Sequence, residues 1–177
     1  MLTLILIAVV VIVMVLLVVV ALQPSQYTVA RSLHVAASPS AVFPHVNNLR
    51  NTVVWSPWVK YDPNAKQTFA GPDAGVGSIN AWDGNKHIGA GRQTIVASHP
   101  DQRVVIKLEF FRPFAAVCET SYNLKPENHG TLVTWDIKGT NNFLAKAFSL
   151  VMSSEKMLGG PFEEGLANLK RVVETGR

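Results

Sequence analysis

The glycine-rich stretch WDGNKHIGAG, residues 82 to 91, has the residue types of a phosphate-binding loop. Such a loop needs glycine N–H groups at the N-terminus of a helix that follows a strand. Here Gly84-Asn85 is followed by a second strand pattern, residues 88 to 96, and the sequence has no GK[ST] motif. The stretch therefore predicts a β-hairpin that turns at Gly84-Asn85. Gly89 and Gly91 then leave one face of the following strand without side chains. This pattern indicates either a β-bulge or the close approach of another group.

The histidines are the next candidates for chemistry, but their spacing matches no zinc template. They are His34, His45, His87, His99 and His129. The single Cys118 excludes a cysteine-based metal site and an internal disulfide, and the sequence has no G-x-S-x-G elbow or Ser-His-Asp set. We therefore expect no metal and no cofactor.

Three side chains are the catalytic candidates if the protein is an enzyme: His87, Arg92 and Tyr122. His87 lies near the predicted hairpin turn and Arg92 lies beyond it, where either side chain could polarise a substrate carbonyl. The simpler interpretation is that both are solvated surface residues. The carboxylates of Glu119 and Asp136 fall on the outer phase of their strands, so we expect them to be solvated.

The N-terminal segment differs from the rest of the chain. Residues 2 to 22 contain one polar side chain, Thr3, and no charge, and a helix of that length rises about 30 Å, which matches the hydrocarbon core of a bilayer. The segment is apolar all round, unlike a core helix, and lacks the basic flank of a signal peptide. We predict a transmembrane anchor over residues 1–23. A cleaved signal peptide, with Val19-Val20-Ala21 at its end, is the alternative.

Residues 24–177 form one predicted domain that carries all the charge of the chain. The chain has 16 Lys and Arg against 12 Asp and Glu, for a net charge of +4. Because the basic residues form no cluster, we expect no nucleic-acid partner; the balance suits an anionic membrane surface or has no electrostatic role. Arg31 is the cation closest to the apolar segment and slightly favours a cytoplasmic domain on a single-pass membrane protein.

Apolar–polar alternation and turn residues predict an antiparallel meander. Strands are expected over residues 27–37, 76–83, 87–98, 102–111, 114–124 and 131–138. Ser38-Pro39 begins a short helix, and residues 51–66 are expected to form a helical turn and a loop. The period becomes helical from Asn141, with an expected break or kink at Gly159-Gly160-Pro161. These elements predict an α+β fold.

An ordered set of short motifs resembles a known superfamily. The motifs are AASPSAVF (36–43), WSPW (55–58), GVG (75–77), WDGN (82–85), GAGR (89–92), TW (134–135) and FEEGLANLK (162–170). Together they resemble the START-related helix-grip superfamily (SRPBCC), in particular its polyketide cyclase/dehydrase and lipid-transport group, over about residues 27–175. The resemblance implies a curved antiparallel sheet around a long C-terminal helix, with a cavity for a hydrophobic ligand between them.

Strand and helix phase then predict which side chains lie near that cavity. They are Trp82, Phe110, Tyr122, Trp135, Phe148, Met157 and Phe162. Core packing explains any one of them equally well, so only the group indicates a cavity.

Three functions follow from these observations. The first is membrane-anchored, non-catalytic binding or transport of a lipid-like or polyketide-like hydrophobic molecule. The second is a cyclase, aromatase or hydratase acting on a polyketide-like substrate. The third is an interaction module with a filled core. We take the first as the working hypothesis.

Overall fold

The structure, a computed structural model that describes residues 1–176, begins with the apolar helix α1 (Leu2–Leu22). Among these residues, α1 is the one helix whose length and composition would allow it to cross a membrane. Val20 is its single buried residue, and the chain leaves the helix at Gln23, just before Pro24. Because almost every side chain is exposed, α1 is not the core helix of the domain that follows.

The domain is built on a seven-stranded antiparallel sheet in the order β1-β7-β6-β5-β4-β3-β2. Its strands are β1 (Gln26–Val35), β2 (Lys66–Ala70), β3 (Ile79–Asp83), β4 (Ala90–His99), β5 (Arg103–Arg112), β6 (Ala116–Glu127) and β7 (Gly130–Thr140). The first strand in sequence pairs with the last, so the chain closes one side of the sheet with its two terminal strands. Only β1 and β2 are edge strands.

Five helical segments of this domain lie on or beside the sheet. They are α2 (Pro39–Asn47), α3 (Leu49–Trp55), a 3₁₀ helix (Pro57–Tyr61), α4 (Phe143–Ser149) and α5 (Ser154–Thr175). Phe162, Leu166 and Leu169 of α5 are buried. Their i, i+4, i+7 spacing forms one helical face, which packs into the concave side of the sheet. The predicted α+β helix-grip fold is confirmed.

The helix α5 is longer than the sequence indicated, because it continues through Gly159-Gly160-Pro161 without a break. Pro161 removes one backbone hydrogen bond, but contacts on either side hold the helix together. Arg31 of β1 pairs with Glu155 and donates from Nε to Glu163 Oε1 at 2.6 Å, bridging the interrupted turn. Gly159, which has no Cβ, makes room for the Arg31 guanidinium.

Strand β2 was not predicted. It has only five residues, pairs with β3 alone and exposes every second side chain. A short edge strand of this kind has too little apolar alternation to stand out from the loops around it.

Candidate functional site

A cavity of about 350 Å³ lies between the concave face of the sheet, α3, the 3₁₀ helix and the first half of α5. This volume falls in the range of small-molecule sites, and its walls are mainly apolar. The cavity contradicts the third possible function, an interaction module with a filled core.

The closed end of the cavity is an aromatic cluster. Trp135 stacks on Phe162 with 4.0 Å between ring centroids, and its centroid lies 5.8 Å from that of Trp55 in an edge contact. Its indole Nε1 donates to Thr120 Oγ1 at 2.8 Å, and Tyr122 packs beside it at 5.3 Å. Because the rings are buried and the Trp135 indole N–H is satisfied, this wall is rigid.

Tyr122 brings a phenol to this closed end. Complete burial raises its pKa well above the usual range, because the phenolate would lose its hydration. The group is therefore a neutral hydrogen-bonding phenol at physiological pH, not a base.

The open end is formed by the hairpin that joins β3 and β4. Trp82 meets Phe110 edge-on, with 5.7 Å between centroids, and donates from Nε1 to Ile88 O at 3.1 Å. The indole lies over Gly91, where a Cβ would come within 2.6 Å of Trp82 Cη2, and the strand register shifts between Ala90 and Gly91. The predicted hairpin is confirmed, and its bare glycine face is filled by Trp82 at a bulge.

The three catalytic candidates do not converge. His87 is exposed at the rim of the cavity, whereas Tyr122 lies at its closed end. Arg92 points to the opposite face of the sheet, where its Nη2 and Nε donate to Glu109 Oε2 at 2.7 and 3.0 Å. Lys107 and Arg92 together lower the pKa of Glu109 by hydrogen bonding to its carboxylate. Arg92 therefore belongs to a surface ion pair.

The other two carboxylates considered in the sequence, Asp136 and Glu119, lie away from the cavity. Asp136 Oδ2 accepts from Ser121 Oγ at 2.6 Å and from Asn123 Nδ2 at 2.9 Å on the outer side of the sheet. Glu119 is exposed. Neither carboxylate lines the cavity.

A row of side-chain amides crosses the concave face near the middle of the cavity. Asn80 Nδ2 donates to Gln67 Oε1, and Gln93 Nε2 donates to Asn80 Oδ1, both at 2.9 Å. All three side chains line the cavity, and Asn80 is only 2% exposed. Within the described part of the chain, these two bonds leave the Gln67 amide nitrogen and the Gln93 amide oxygen free to meet a ligand. We name Gln67, Asn80 and Gln93 the amide row.

Sequence reasoning missed the amide row because glycine, alanine and serine obscure the phase of residues 76 to 98. One signal was available: since Trp82 was placed at the cavity, Asn80, two residues earlier on the same strand, had to face the same side.

Six of the seven side chains predicted near the cavity line it, whereas Phe148 does not. Phe148 is 57% exposed on α4, which lies beside α1 and is tied to it by a bond of 3.3 Å from Lys146 Nζ to Ala21 O. The prediction for Phe148 is wrong because helical phase fixes which residues share a face, but not where a short helix docks.

Residues 51–66 contribute more to the site than their irregular pattern suggested. This segment forms α3 and the 3₁₀ helix, which cover the cavity from the side opposite the sheet. Its contributing residues are Thr52, Val53, Trp55, Ser56, Trp58, Val59 and Asp62. Non-local packing decides the placement of such a cover, so no periodicity revealed it.

The described residues contain no group of three or more His, Cys, Asp or Glu side chains that could hold a metal ion. Burial raises the pKa of the Cys118 thiol to about 11, so it is protonated at neutral pH. Cys118 does not line the cavity. What the cavity offers chemically is mainly apolar contact, with neutral amides, a neutral phenol and the carboxylate of Asp62.

Several solved structures share this fold. Protein CV1439 from Chromobacterium violaceum aligns with a TM-score of 0.59 at 15% identity, over 83% of this chain and 96% of that one. The di-domain ARO/CYC protein StfQ of the steffimycin biosynthetic pathway aligns with a TM-score of 0.60 at 13% identity, over 85% of this chain and 51% of that one. The Aha1 dimer from Colwellia psychrerythraea aligns with a TM-score of 0.58 at 16% identity, over 85% and 98%. At these identities, the likeness establishes the fold.

The family is established by sequence. The comparison with curated proteins gives no match. The family described as polyketide cyclase/dehydrase and lipid transport, in contrast, matches residues 26–174, which is the whole domain from the first residue of β1 to the last turn of α5. The match covers the sheet and the long C-terminal helix that encloses the cavity with it. The chain therefore belongs to the polyketide cyclase/dehydrase and lipid-transport family.

Proposed function

We propose that this protein binds or transports a hydrophobic small molecule in its internal cavity while α1 anchors it to a membrane. The observation that carries the proposal is the cavity of about 350 Å³ with aromatic and aliphatic walls. Burying an apolar ligand there is favoured by roughly 25 cal/mol for each Å² removed from water. The exposed α1, which carries no charge and a single polar side chain, supports the membrane part of the proposal.

The lining favours a ligand with one neutral polar group. The amide row offers both a hydrogen-bond donor and an acceptor to a carbonyl or hydroxyl, while the rest of the wall is mainly apolar. No Lys or Arg of the described chain lines the cavity, and Asp62 contributes a carboxylate to it. An anionic group would therefore lose its hydration without gaining a counter-charge. Lipid-like alcohols, ketones and esters and neutral polyketides fit these conditions.

The test is to purify the full chain in detergent, extract it with organic solvent and identify copurifying molecules by mass spectrometry. Leu108, on the cavity wall, provides the matched variant, because Leu108→Trp fills part of the void with an apolar side chain. We expect a lipid-like molecule with wild type, and its loss, together with weaker binding of the neutral dye Nile red, in Leu108→Trp. Equal recovery from both proteins would show that the molecule comes from detergent micelles and contradict the proposal.

A second candidate function is catalysis on a polyketide-like substrate, favoured by the neutral Tyr122 phenol at the end of an apolar cavity. Such a phenol can donate a hydrogen bond to a substrate carbonyl and stabilise negative charge that develops on its oxygen. The test compares Tyr122→Phe and His87→Ala with wild type on a polyketide-like substrate, with the exposed His99→Ala as control. If neither variant lowers turnover, Tyr122 and His87 are not catalytic.

A further inference from the structure

The strand register places the cavity mouth and the membrane anchor at the same end of the sheet. The first residue of β1, which follows α1, pairs with the last residue of β7. Through the next strands, the same end carries the start of β6, the end of β5 and the hairpin between β3 and β4. We name this the anchor end of the sheet. Its residues are Gln26, Thr140, Ala116, Arg112, Ala90 and Asp83.

The cavity opens at the anchor end. The exposed rim residues are His87, in the β3–β4 hairpin, Met157, in the first turn of α5, and Val59, in the 3₁₀ helix. The opposite end of α5 lies at the far end of the sheet, where Glu174 Oε1 accepts from the Ala36 N–H at 2.6 Å. Tyr122, which closes the cavity, also lies towards that far end, opposite Val104. The open side of the cavity and the start of β1 therefore point the same way.

The linker leaves the domain little freedom to turn away from the bilayer. Only residues 23–25 separate Leu22 of α1 from Gln26 of β1, and fully extended they reach about 14 Å. Helix α4 shortens the effective tether, because Lys146 Nζ bonds to Ala21 O at 3.3 Å. If α1 spans a membrane, the anchor end lies at its surface.

The anchor end also exposes a group of large apolar side chains. Phe114, in the β5–β6 turn, is 79% exposed, and Val151, between α4 and α5, is 84% exposed. The group, which we name the collar, consists of Phe111, Phe114, Phe143, Leu144, Phe148, Leu150, Val151 and Met152. Exposed apolar side chains grouped in this way mark a contact surface.

The charges around the collar suit a lipid headgroup layer. Four lysines belong to the same end: Lys66 lies opposite Asp83 in the strand register, Lys86 lies in the hairpin, and Lys146 and Lys156 lie in α4 and the first turn of α5. The carboxylates nearby have arginine partners, since Asp83 pairs with Arg112 and Glu155 pairs with Arg31. Apolar side chains combined with lysines are the composition of surfaces that insert into anionic membrane interfaces.

We infer that the collar rests in the interface of the bilayer that holds α1, so that the cavity mouth opens directly onto lipid. This inference rests on the proposed function. A hydrophobic ligand would then pass between the bilayer and the cavity without crossing water, and the short linker keeps the mouth in place. Phe148, which was predicted to line the cavity, belongs to the collar instead.

The first experiment measures where the collar lies. Full-length Phe114→Cys and Val151→Cys variants, each also carrying Cys118→Ala, are labelled with the fluorophore NBD. They are then reconstituted in vesicles of phosphatidylcholine and phosphatidylglycerol that contain a nitroxide-labelled lipid. Gln102→Cys, exposed at the far end of the sheet, is the matched control. We expect quenching at both collar positions to exceed that at Gln102→Cys several-fold. Equal quenching at the three positions would overturn the inference.

The second experiment separates this inference from the proposed function. A Phe114→Ser/Val151→Ser variant should bind Nile red in detergent as wild type does, but take it up from vesicles about tenfold more slowly, since each lost side chain weakens insertion. The control is Val96→Ser, which removes a 45% exposed valine from the far half of β4. If the wild-type protein did not bind Nile red in detergent, the proposed function itself would be contradicted. If the Phe114→Ser/Val151→Ser variant bound Nile red normally in detergent and also took it up from vesicles at the wild-type rate, only the inference would be contradicted.

Discussion

The two ends of the cavity use similar aromatic residues for different purposes. At the closed end, Trp55, Trp135 and Phe162 come from three separate elements and pack against one another with almost no exposure. At the open end, Trp82 of β3 is half-buried and reaches over Gly91 of β4 to pack on Phe110 of β5, all within one sheet. A ring held from several sides stabilises the fold, whereas a ring held from one side leaves space that a ligand can fill.

The comparison is tested most strongly at Trp135. We expect Trp135→Ala to lower the free energy of unfolding by about 3–5 kcal/mol, because it removes the stack on Phe162 and leaves a large hole in the core. Urea unfolding followed by circular dichroism measures this. Trp135→Phe, which keeps a ring, should lose distinctly less. A loss below about 1 kcal/mol for Trp135→Ala would mean that the closed end is not a structural wall.

The matched change at the open end is Trp82→Ala. Since Trp82 is only half-buried, we expect a smaller stability loss of about 1–2 kcal/mol, together with about tenfold weaker binding of Nile red. The same unfolding assay and a fluorescence titration measure the two effects. If Trp82→Ala destabilised the protein as much as Trp135→Ala, the two ends would not differ in the way we describe.

The amide row tests whether the space between the two ends selects ligands by polarity. Gln93→Leu removes the donor to Asn80 Oδ1 and should cost about 1 kcal/mol of stability. Binding of Nile red, which carries a carbonyl, should weaken several-fold, while binding of the hydrocarbon probe diphenylhexatriene should hold or improve. Gln102→Leu at the far end is the control. If Gln93→Leu changed the binding of Nile red and of diphenylhexatriene to the same extent, the amide row would not be a polar subsite.

The smallest expected effect is on the pH dependence of the free energy of unfolding, through the buried thiol of Cys118 in β6. Burial raises the pKa of the Cys118 thiol from 9.0 to about 11, so the folded protein holds this proton more tightly than the unfolded chain does. The resulting stabilisation is complete below pH 9.0 and is lost as the pH rises through about 11. Unfolding measured across this window should show a shallower alkaline decline for Cys118→Ala than for wild type. An identical decline would indicate that water reaches the thiol.

Local patterns predicted much of this molecule. Alternation placed β1 and β3 to β7 close to their observed bounds, and the helical period placed Phe162 and Leu166 on the buried face of α5. Side-chain direction has a period of two in strands and close to four in helices, so the facing of Tyr122 and Trp135 can be inferred without knowing their neighbours. Whether these residues bind a ligand stays a prediction.

The apolar character of α1 and the charge of the domain were likewise determined by the sequence alone. Both depend on which residues are present, and neither requires knowledge of a contact.

Only the tertiary structure decided how these elements meet. The path of α5 through Pro161 depends on Arg31, which is distant in sequence and bridges the turn to Glu155 and Glu163. The cover over the cavity, the joining of Asn80 to Gln67 and Gln93, and the docking of α4 on α1 are also long-range contacts. Their energies depend on distances between segments that no local periodicity records. The sequence therefore determined which faces are apolar, and packing determined which of those faces are buried, which enclose the cavity and which remain at the anchor end.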